Sequence, residues 1–431
     1  MANLKLQEKS FKDRFGQYTQ TLDCVHCGLC VPSCPTQGIT GRESDSPRGR
    51  IYLMRGYAEE TMPFTRESLK HLDQCIVCRN CESVCPSGIR MGDMMESFRH
   101  EMNQVIPRKS WKFHAARWLL THLVPFRSRI AVVTDLLTLY DRLGVRRFVM
   151  SVADRLRLTR LRDMDDMFPD LPDFSERRIE TDATRPDGLY PAHGKTRMRV
   201  VLFLGCITSE WFAPTHRATI RMLNRTGCDV IVPHAQTCCG ALHRHAGLLK
   251  EAHSLYEQNA EVMSELKADV LVVNAAGCGA ALKEPPESCP EGLGLPVRDI
   301  CEFLDEVGIP TPDLEFSGKV AYDQPCHLLH GQQVPESAVT NLLRQVPGLE
   351  LVPLEDSERC CGSGGVYNLV HPEMAVPILD EKVDAIAAST AEFVVTGNPG
   401  CAMQIRSGIR RRGLDVQVMH PLDLLDKVYS K

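Results

Sequence analysis

One cysteine spacing, C-x2-C-x2-C-x3-C-P, occurs twice in this chain. The eight cysteines concerned are Cys24, Cys27, Cys30 and Cys34 in the first run and Cys75, Cys78, Cys81 and Cys85 in the second. Three cysteines two residues apart lie on one tight loop, and the fourth, just before a proline, is turned away from it. The region that holds the two runs is the part around which the chain is organised.

Each run is the bacterial ferredoxin signature for a 4Fe-4S cube. In two-cluster ferredoxins the fourth cysteine of a run ligates the other cluster. The spacing therefore predicts one cube on Cys24, Cys27, Cys30 and Cys85, and a second cube on Cys75, Cys78, Cys81 and Cys34. The alternative is a pair of four-cysteine zinc sites, which would have no use for a third cysteine at the same step or for the proline.

Composition places the chain among ordinary globular proteins. It has 431 residues, 43 % of them hydrophobic and 24 % charged, with a formal net charge of −5. This charge does not indicate a nucleic-acid partner. The 19 cysteines favour thiolate ligands in a reducing cytoplasm over the disulfides of a small secreted domain. We expect no signal segment and, since no run of eighteen apolar residues occurs, no membrane-spanning helix.

Four segments are expected along the chain. Residues 1–100 form a mainly α-helical, two-cluster ferredoxin-like domain, with helices predicted after Pro47 and from Ser68. Residues 101–193 form a helical connector followed by an acidic, proline-rich linker or strap. Residues 194–312 and 313–431 form a duplicated α/β domain with parallel sheets.

The connector is basic over residues 101–163, where thirteen Lys or Arg and five Asp or Glu give a formal charge of +8. Apolar residues are interleaved with these charges, namely Trp111, Trp118, Leu119, Leu120, Leu123 and Phe126. One interpretation is a surface that meets anionic lipid or an acidic partner subunit. The other is a set of core-packing helices with solvated basic faces. Pro107 and Pro125 argue against one long membrane-surface helix.

The last 240 or so residues contain an internal repeat of a cysteine pattern. Its members are Cys206, Cys238, Cys239 and Cys278 in the first unit and Cys326, Cys360, Cys361 and Cys401 in the second. The offsets between three matched positions are 120, 122 and 123 residues, which indicates a duplicated domain.

Short apolar runs precede these cysteines and predict buried parallel strands. They are Val200 to Leu204, Val230 to Val232 and Val270 to Val273 in the first unit, and Val320 to Tyr322, Leu349 to Val352 and Phe393 to Val395 in the second. Helices are expected over residues 251–266 and 373–388. The cysteines then follow the carboxyl ends of the strands, where open α/β sheets bind ligands.

This repeated pattern resembles the cysteine-rich domain of heterodisulfide reductases and of several flavoprotein-linked iron-sulfur subunits. A fifth cysteine of that family is replaced here by Ala281 and Gln404, which argues against its five-thiolate cluster and its disulfide-reducing chemistry. Each unit could hold one iron-sulfur cluster, the two units could share one, or the thiols could be structural. Structural roles are expected for Cys228, Cys289 and Cys301, and for His234, His243, His245 and His327.

The whole chain resembles the iron-sulfur subunit of glycolate oxidase (glycolate dehydrogenase). The resemblance rests on the order of the domains and on the segments CVHCGLC, DSPRGRIYLMRG, HLDQCIVCRNCESVCPSG, AAGCGA and CCGSGGVYNLVHPE. It implies electron transfer from FAD-containing flavoprotein subunits, which oxidise glycolate to glyoxylate, toward membrane quinone. It is also compatible with a cytoplasmic protein bound peripherally to the inner membrane.

No G-x-G-x-x-G follows a predicted strand, so the flavin is expected on another chain and no catalytic base is expected here. Three alternatives stay open. The donor could be D-lactate, glycerol 3-phosphate or another substrate. The chain could be a heterodisulfide-reductase-like thiol/disulfide oxidoreductase. Its cysteine-rich units could also be a scaffold that only docks partners.

Overall fold

The computed structural model describes residues 10–105, 111–156 and 188–430, together with residues 158, 161, 165–166, 171–177 and 179. Contacts divide the chain into two compact units. The first is drawn from Met1–Arg117, Leu242–Ala252 and Gly362–Ile378, and the second from Trp118–Ala241, His253–Cys361 and Leu379–Lys431. The chain is thus multi-domain, as expected, while the four predicted segment boundaries stay a prediction.

The first unit is helical in its N-terminal part. Its helices there are α1 (Phe11–Arg14), α2 (Tyr18–Asp23), α3 (Pro35–Thr40), α4 (Pro47–Ala58), α5 (Arg66–Asp73), α6 (Asn80–Ser83) and α7 (Met91–Val105), with a 3-10 turn at Glu43–Asp45. Capping residues fix several of these helix starts. Ser46 accepts a hydrogen bond from the backbone N–H of Gly49 at 3.0 Å, and Thr65 forms a capping box with Ser68.

Aromatic and Met side chains form the core of the first unit. Met54, Tyr57 and Phe98 are at most 1 % exposed. Tyr57 stacks on Phe64 with ring centroids 4.3 Å apart, and Phe11 meets Phe98 edge to face at 5.5 Å. This core holds α4 and α7 in fixed positions, and both helices border the cysteine loops.

Three helices follow in the connector: α8 (Trp111–His122), α9 (Arg127–Arg142) and α10 (Val145–Arg155), and a short α11 (Phe174–Arg177) comes after them. The chain between α8 and α9 contains Pro125, as expected for a helix breaker. Within the described part of the chain, no helix combines the length and apolar character needed to cross a bilayer. Pro107, Pro169 and Pro186 lie outside the described residues.

The interpretation of the connector as core-packing helices is wrong for most of the apolar residues that motivated it. Trp111, Trp118, Leu119 and Phe126 are exposed, whereas Leu120 is 2 % exposed and does pack inward. Helical periodicity identifies the faces of a helix, but it does not say which face another element covers.

The second unit contains two sheets. The first has the order β1-β3-β2-β4-β5 and the second β7-β6-β8-β9. The strands are β1 (Leu189–Tyr190), β2 (Met198–Phe203), β3 (Cys228–Ile231), β4 (Val270–Val273), β5 (Val297–Asp299), β6 (Gly318–Tyr322), β7 (Leu349–Val352), β8 (Phe393–Val395) and β9 (Gln417–Met419). All pairs are parallel except β1 with β3. The order β3-β2-β4-β5 in the first sheet matches β7-β6-β8-β9 in the second, so topology shows the duplication directly.

Helices connect these strands, and a few of them belong to the first unit. They are α12 (Thr208–Trp211), α13 (Ala213–Arg225), α14 (Ala241–His245), α15 (Leu249–Ser264), α16 (Ala276–Lys283), α17 (Ile300–Val307), α18 (Ser337–Arg344), α19 (Tyr367–Val370), α20 (Pro372–Ala388), α21 (Pro399–Arg412) and α22 (Pro421–Leu425), with a π-helical turn at His327–Gly331 and a 3-10 turn at Asp426–Val428. The six predicted strands and the two predicted helices are present, with bounds shifted by at most two residues.

The first strand of each repeat is central, because it connects to a neighbour on either side. From β2 the chain continues to β3 on one side, and β4 then pairs with the other side of β2. The reversal between β2 and β4 is a topological switch point, where the crevice outside the strand ends binds ligands in open α/β sheets. The position between β6 and β8 is its equivalent in the second sheet. Cysteines follow all four of these strands.

Candidate metal centres

A cavity in the first unit is lined by four of the predicted cluster ligands, Cys24, Cys27, Cys30 and Cys85. Burial raises the pKa of the Cys30 thiol, and the nearby thiols of Cys24 and Cys85 raise it further. This mutual influence places the fourth cysteine of the second run beside the first run. These four thiols are the set predicted for one cube.

A second cavity in the same unit is lined by Cys34, Cys75, Cys78 and Cys81. Burial raises the pKa of the Cys81 thiol well above its usual value. The thiols of Cys78, Cys75 and Cys34 raise this pKa further, in that order. The second cavity thus collects three cysteines of the second run and the fourth cysteine of the first.

The two cavities adjoin, because Cys81 also lines the first one. Within the part of the chain that the structure describes, no three His, Cys, Asp or Glu side chains are grouped closely enough to hold a single metal ion. A zinc site requires its thiolates about 2.3 Å from one atom, whereas a 4Fe-4S cube is held at several separate irons. A third cysteine at the same step and a following proline in both runs favour a cube over zinc at each cavity.

The two cysteine loops follow the same strained backbone path. In the first loop His26 and Gly28 have φ of +54° and +85°, and in the second Val77 and Arg79 have φ of +61° and +66°. These are equivalent positions, the second and fourth residues after the leading cysteine. A β-branched residue such as Val77 in the left-handed region is unfavourable, and such strain persists where surrounding structure imposes it. The shared path turns three thiols of each run toward one cavity.

A buried arginine lies beside the second cavity. Arg50 on α4 is 1 % exposed, and its Nη1 donates to Cys34 Sγ at 3.7 Å. Its other nitrogens donate to Thr36 Oγ1 and to the His71 carbonyl, each at 2.8 Å. Burial lowers the pKa of Arg50, but the thiolates of Cys75 and Cys34 with the Asp45 carboxylate raise it overall. Arg50 therefore stays charged.

The sequence analysis did not identify Arg50 as a site residue. A signal was available, because DSPRGRIYLMRG places basic residues on a helix between the two cysteine runs. The structure adds that His71 Nδ1 lies 2.7 Å from Asp45 Oδ1, and that Arg50 lies 4.0 Å from the same carboxylate. A cation, a carboxylate and an imidazole thus form one buried network behind the second cavity.

In the second unit, the four cysteines of the first repeat gather at the carboxyl ends of β2, β3 and β4. Hydrogen bonds with Cys206 and Cys239, together with burial, raise the pKa of the Cys238 thiol well above its usual value. Hydrogen bonding with Cys239 and burial also raise the pKa of Cys278. All four thiols therefore belong to one group.

The second repeat forms a corresponding group. Hydrogen bonding with Cys361, burial and the nearby Asp323 and Cys326 raise the pKa of the Cys401 thiol. Cys360 is 5 % exposed and precedes Cys361 in the chain. His327 lies beside this group, with Nδ1 3.5 Å from Cys326 Sγ.

The two groups are connected by hydrogen bonds within the second unit. Asn398 accepts a hydrogen bond from the Gly277 N–H at 3.4 Å and donates one to Cys401 Sγ at 3.2 Å. Gln332 donates to the carbonyl of Ala276 at 3.0 Å. A Cβ at Gly279 would lie only 2.3 Å from the Gln332 amide nitrogen. Neither Asn398 nor Gln332 was identified from the sequence. Both belong to the second repeat, and each forms a hydrogen bond with the backbone of the first.

The positions of the missing fifth cysteines are buried and hold no thiol. Ala281 follows Cys278 on α16 and is 6 % exposed, and Gln404 follows Cys401 on α21 and is 3 % exposed. Cys228 and Cys301 are buried, and Cys289 is half-buried. The structural role expected for His245 fits its hydrogen bond to Glu96.

A carboxylate of the first unit binds the segment that follows Cys239 and Gly240. Glu96 on α7 accepts hydrogen bonds from Arg244 Nε and His245 Nδ1, each at 2.9 Å. Burial alone would raise the pKa of Glu96, but Arg244 and His245 lower it to about 2. Arg99 also donates to the carbonyls of His245 at 2.7 Å and Cys75 at 2.6 Å. The segment 242–252 is thereby fixed beside the second cysteine loop.

Comparison with known proteins matches both parts of this architecture. A family model described as a 4Fe-4S dicluster domain matches residues 20–89. A model described as a cysteine-rich domain matches twice, at residues 200–283 and 320–406. The chain is therefore an iron-sulfur protein with a dicluster domain and two cysteine-rich domains.

Relatives match over nearly the full chain. The "Probable glycolate oxidase iron-sulfur subunit" of Bacillus subtilis is 35 % identical, covering 98 % of this chain and 97 % of the relative. The "Glycolate oxidase iron-sulfur subunit" of Escherichia coli is 30 % identical, covering 95 % and 94 %. A fumarate reductase (CoM/CoB) protein of Methanothermobacter marburgensis is 35 % identical, covering 94 % and 72 %. The chain belongs to the family of glycolate oxidase iron-sulfur subunits.

The Glu96 contact yields a first prediction. Replacing Glu96 with Ala removes the carboxylate that pairs with Arg244 and His245, and breaking a buried ion pair costs about 3–5 kcal/mol. We expect faster amide hydrogen exchange in residues 242–252. Glu101→Ala is the control, because Glu101 lies on the same helix but pairs with Arg14 at 2.9 Å. Equal protection of residues 242–252 in both variants would contradict this role of Glu96.

Proposed function

We propose that this chain is the electron-transfer subunit of a complex that oxidises glycolate to glyoxylate. The oxidation releases two electrons and two protons, which an FAD-containing partner subunit would take up. The two electrons would then pass through this chain toward membrane quinone. Together with two protons they would convert quinone to quinol. The observation that carries the proposal is the pairing of eight thiols into two adjoining sets of four.

The residues present fit two cubes, one held by Cys24, Cys27, Cys30 and Cys85 and the other by Cys34, Cys75, Cys78 and Cys81. When bound, a 4Fe-4S cube accepts and gives up one electron at a time, at a potential set by its surroundings within about −700 to +450 mV. Seven of these eight thiols are buried or half-buried, which keeps bulk water away from most of the sulfurs. Cys27 is the exposed member of the set.

Arg50 would tune the second of these sites. Its buried guanidinium lies next to Cys34 and carries a positive charge that salt in the solvent cannot screen effectively. A positive charge favours the more negative, reduced state of a neighbouring redox centre. Arg48 is the weaker counterpart at the first site, because it is paired with Glu43 at 2.6 Å and is more exposed.

We further propose that each cysteine group of the second unit holds a cluster. Four gathered thiols per repeat are the number that a cube requires. One shared cluster and a purely structural role are the alternatives that iron analysis separates. Disulfide-reducing chemistry is not proposed, since Ala281 and Gln404 leave each group without a fifth thiol.

The proposed complex would be cytoplasmic and peripheral to the membrane. Its donor would be a flavoprotein and its acceptor a quinone. A related iron-sulfur protein serving D-lactate or glycerol 3-phosphate would share this architecture, because no part of the proposed role requires this chain to contact the substrate. Copurification with a flavoprotein and assay of its substrate distinguish these donors.

Iron and acid-labile sulfide per chain, measured on anaerobically purified protein, test the cluster assignment. Two cubes would give about eight irons, and clusters in the second unit would raise this to about twelve or sixteen. We expect the double variant Cys239→Ala, Cys361→Ala to fall back toward about eight. A wild-type value of about eight, unchanged in that variant, would contradict clusters in the second unit and leave the two-cube proposal intact.

Replacing Cys27 with Ala tests electron flow. Loss of one thiolate ligand should remove one cube, about four irons, and stop quinone reduction, while the flavoprotein still binds and oxidises its substrate. Cys289→Ala is the matched control, because Cys289 is half-buried and lies outside all four thiol groups. Full quinone reduction by Cys27→Ala would refute the electron path through the first cavity.

Replacing Arg50 with Met tests charge tuning. Removing the buried positive charge should lower the reduction potential of one cluster, by about 60 mV for each 1.4 kcal/mol of lost attraction. Arg50→Lys keeps the charge and should stay close to the wild type. Potentiometric titration followed by EPR measures both variants. Equal potentials for the Met and Lys variants would show that the charge of Arg50 does not act on the cluster.

A further inference from the structure

The outer faces of α9 and α10 carry two apolar rows at helical spacing. On α9 and its C-cap these are Val132, Leu136, Leu139 and Leu143, at i, i+4, i+7 and i+11, and they are between 52 % and 67 % exposed. On α10 and its C-cap they are Val145, Phe148, Val152 and Leu156, and Phe148 is 69 % exposed. We call these eight residues the apolar rows. Positions three, four and seven apart lie on one face of a helix, so each row is a continuous exposed strip.

The opposite face of α9 is the one that packs within the second unit. Ile130 is 5 % exposed and Thr134 is fully buried. Thr134 Oγ1 accepts a hydrogen bond from the indole nitrogen of Trp211 at 3.0 Å. Because this face already holds the helix in place, the apolar row on the other face is not needed for packing within the unit. Contiguous exposed apolar surface of this kind marks an interaction site.

The surface around the rows is basic. Arg129, Arg147 and Arg155 are exposed beside them. Acidic side chains of the same region are paired with other arginines. Asp135 lies 2.7 Å from Arg177, Asp141 lies 3.7 Å from Arg146, and Asp165 lies 2.8 Å from Arg146. Asp154 on α10 is exposed, but α9 and α10 together contain six Arg and three Asp, a formal charge of +3, so the charge that they present to a partner is positive.

We propose that the apolar rows dock this protein on the surface of an anionic lipid bilayer, with α9 and α10 lying in the plane of the interface. Helices with an apolar face of Leu and Phe and with flanking arginines bind such interfaces by apolar burial and by attraction to anionic lipid. Phe126, the N-cap residue of α9, is also exposed, and an aromatic ring at this position suits the headgroup level.

The charge disfavours a second copy of this chain on the same face. A second copy docking the same face about a two-fold axis would place these arginines against each other. The proposed function explains why this docking would be useful, because docking brings the chain to a membrane acceptor. The test of docking itself requires no enzyme turnover.

Cosedimentation of the full chain with vesicles tests the proposal. We expect binding to vesicles of phosphatidylcholine mixed with phosphatidylglycerol, and much weaker binding to phosphatidylcholine alone or at high salt. The double variant Leu136→Glu, Phe148→Glu should lose binding by at least roughly tenfold. Arg147→Ser should weaken it roughly fivefold. Leu314→Glu is the control, because Leu314 is similarly exposed, at 47 %, but lies outside the rows.

Iron content and circular dichroism verify that each variant is folded, and Leu136→Ser, Phe148→Ser replaces the Glu variant where it is not. Absence of wild-type binding to anionic vesicles would overturn the proposal. Binding of the Glu variant to the vesicles as strongly as the wild type would also overturn it. The same holds for a wild-type dimer that the Glu variant dissociates, or for attachment of the flavoprotein to the rows. Dye reduction by the complex in solution reports on electron transfer separately, so failure of the proposed function is distinguishable from failure of docking.

Discussion

The convergence of eight thiols on two adjoining cavities is the constraint on which the first unit depends. Each cavity takes its fourth cysteine from the other run, so neither loop can be completed unless both are in place. The chain between the runs must therefore form a rigid spacer, and α4 and α5 supply it. Gathering so many cluster-ligating thiolates in one interior also requires a counter-charge. Arg50 provides this charge from α4, where it is buried and bonded to Thr36 and His71.

Topology, not sequence proximity, assembles the thiol groups of the second unit. In each sheet the first strand lies between the second and third, so residues that follow all three strands meet at one edge. A Cys-Cys pair on a loop and a cysteine at the start of a helix then join the cysteine after the central strand. Asn398 connects Cys401 of one repeat with Gly277 of the other. Asn398 thus contacts a thiol of the second repeat and the backbone of the first.

Much of this arrangement could be predicted, because spacing encodes it. The C-x2-C-x2-C-x3-C-P runs predicted the two sets of thiols, and continuous apolar runs predicted the central strands. The edge strands β1, β5 and β9 were missed, since they have two or three residues and no continuous buried run. Arg50 and Asn398 were missed because their roles depend on contacts distant in sequence. The exposure of Trp118 and Phe126 could not be deduced from periodicity, which does not reveal what covers a helix face.

Charge is distributed unevenly along the chain, and this asymmetry bears on orientation. The whole chain has a formal charge of −5 and residues 101–163 carry +8, so the other residues carry −13. An anionic surface attracts the connector and repels the remainder, over a range of about 8 Å at physiological salt. Apolar burial on its own would discriminate poorly between apolar surfaces. The opposed charges would add a preference for the connector over the rest of the chain, so they would set the orientation as well as contribute to the affinity.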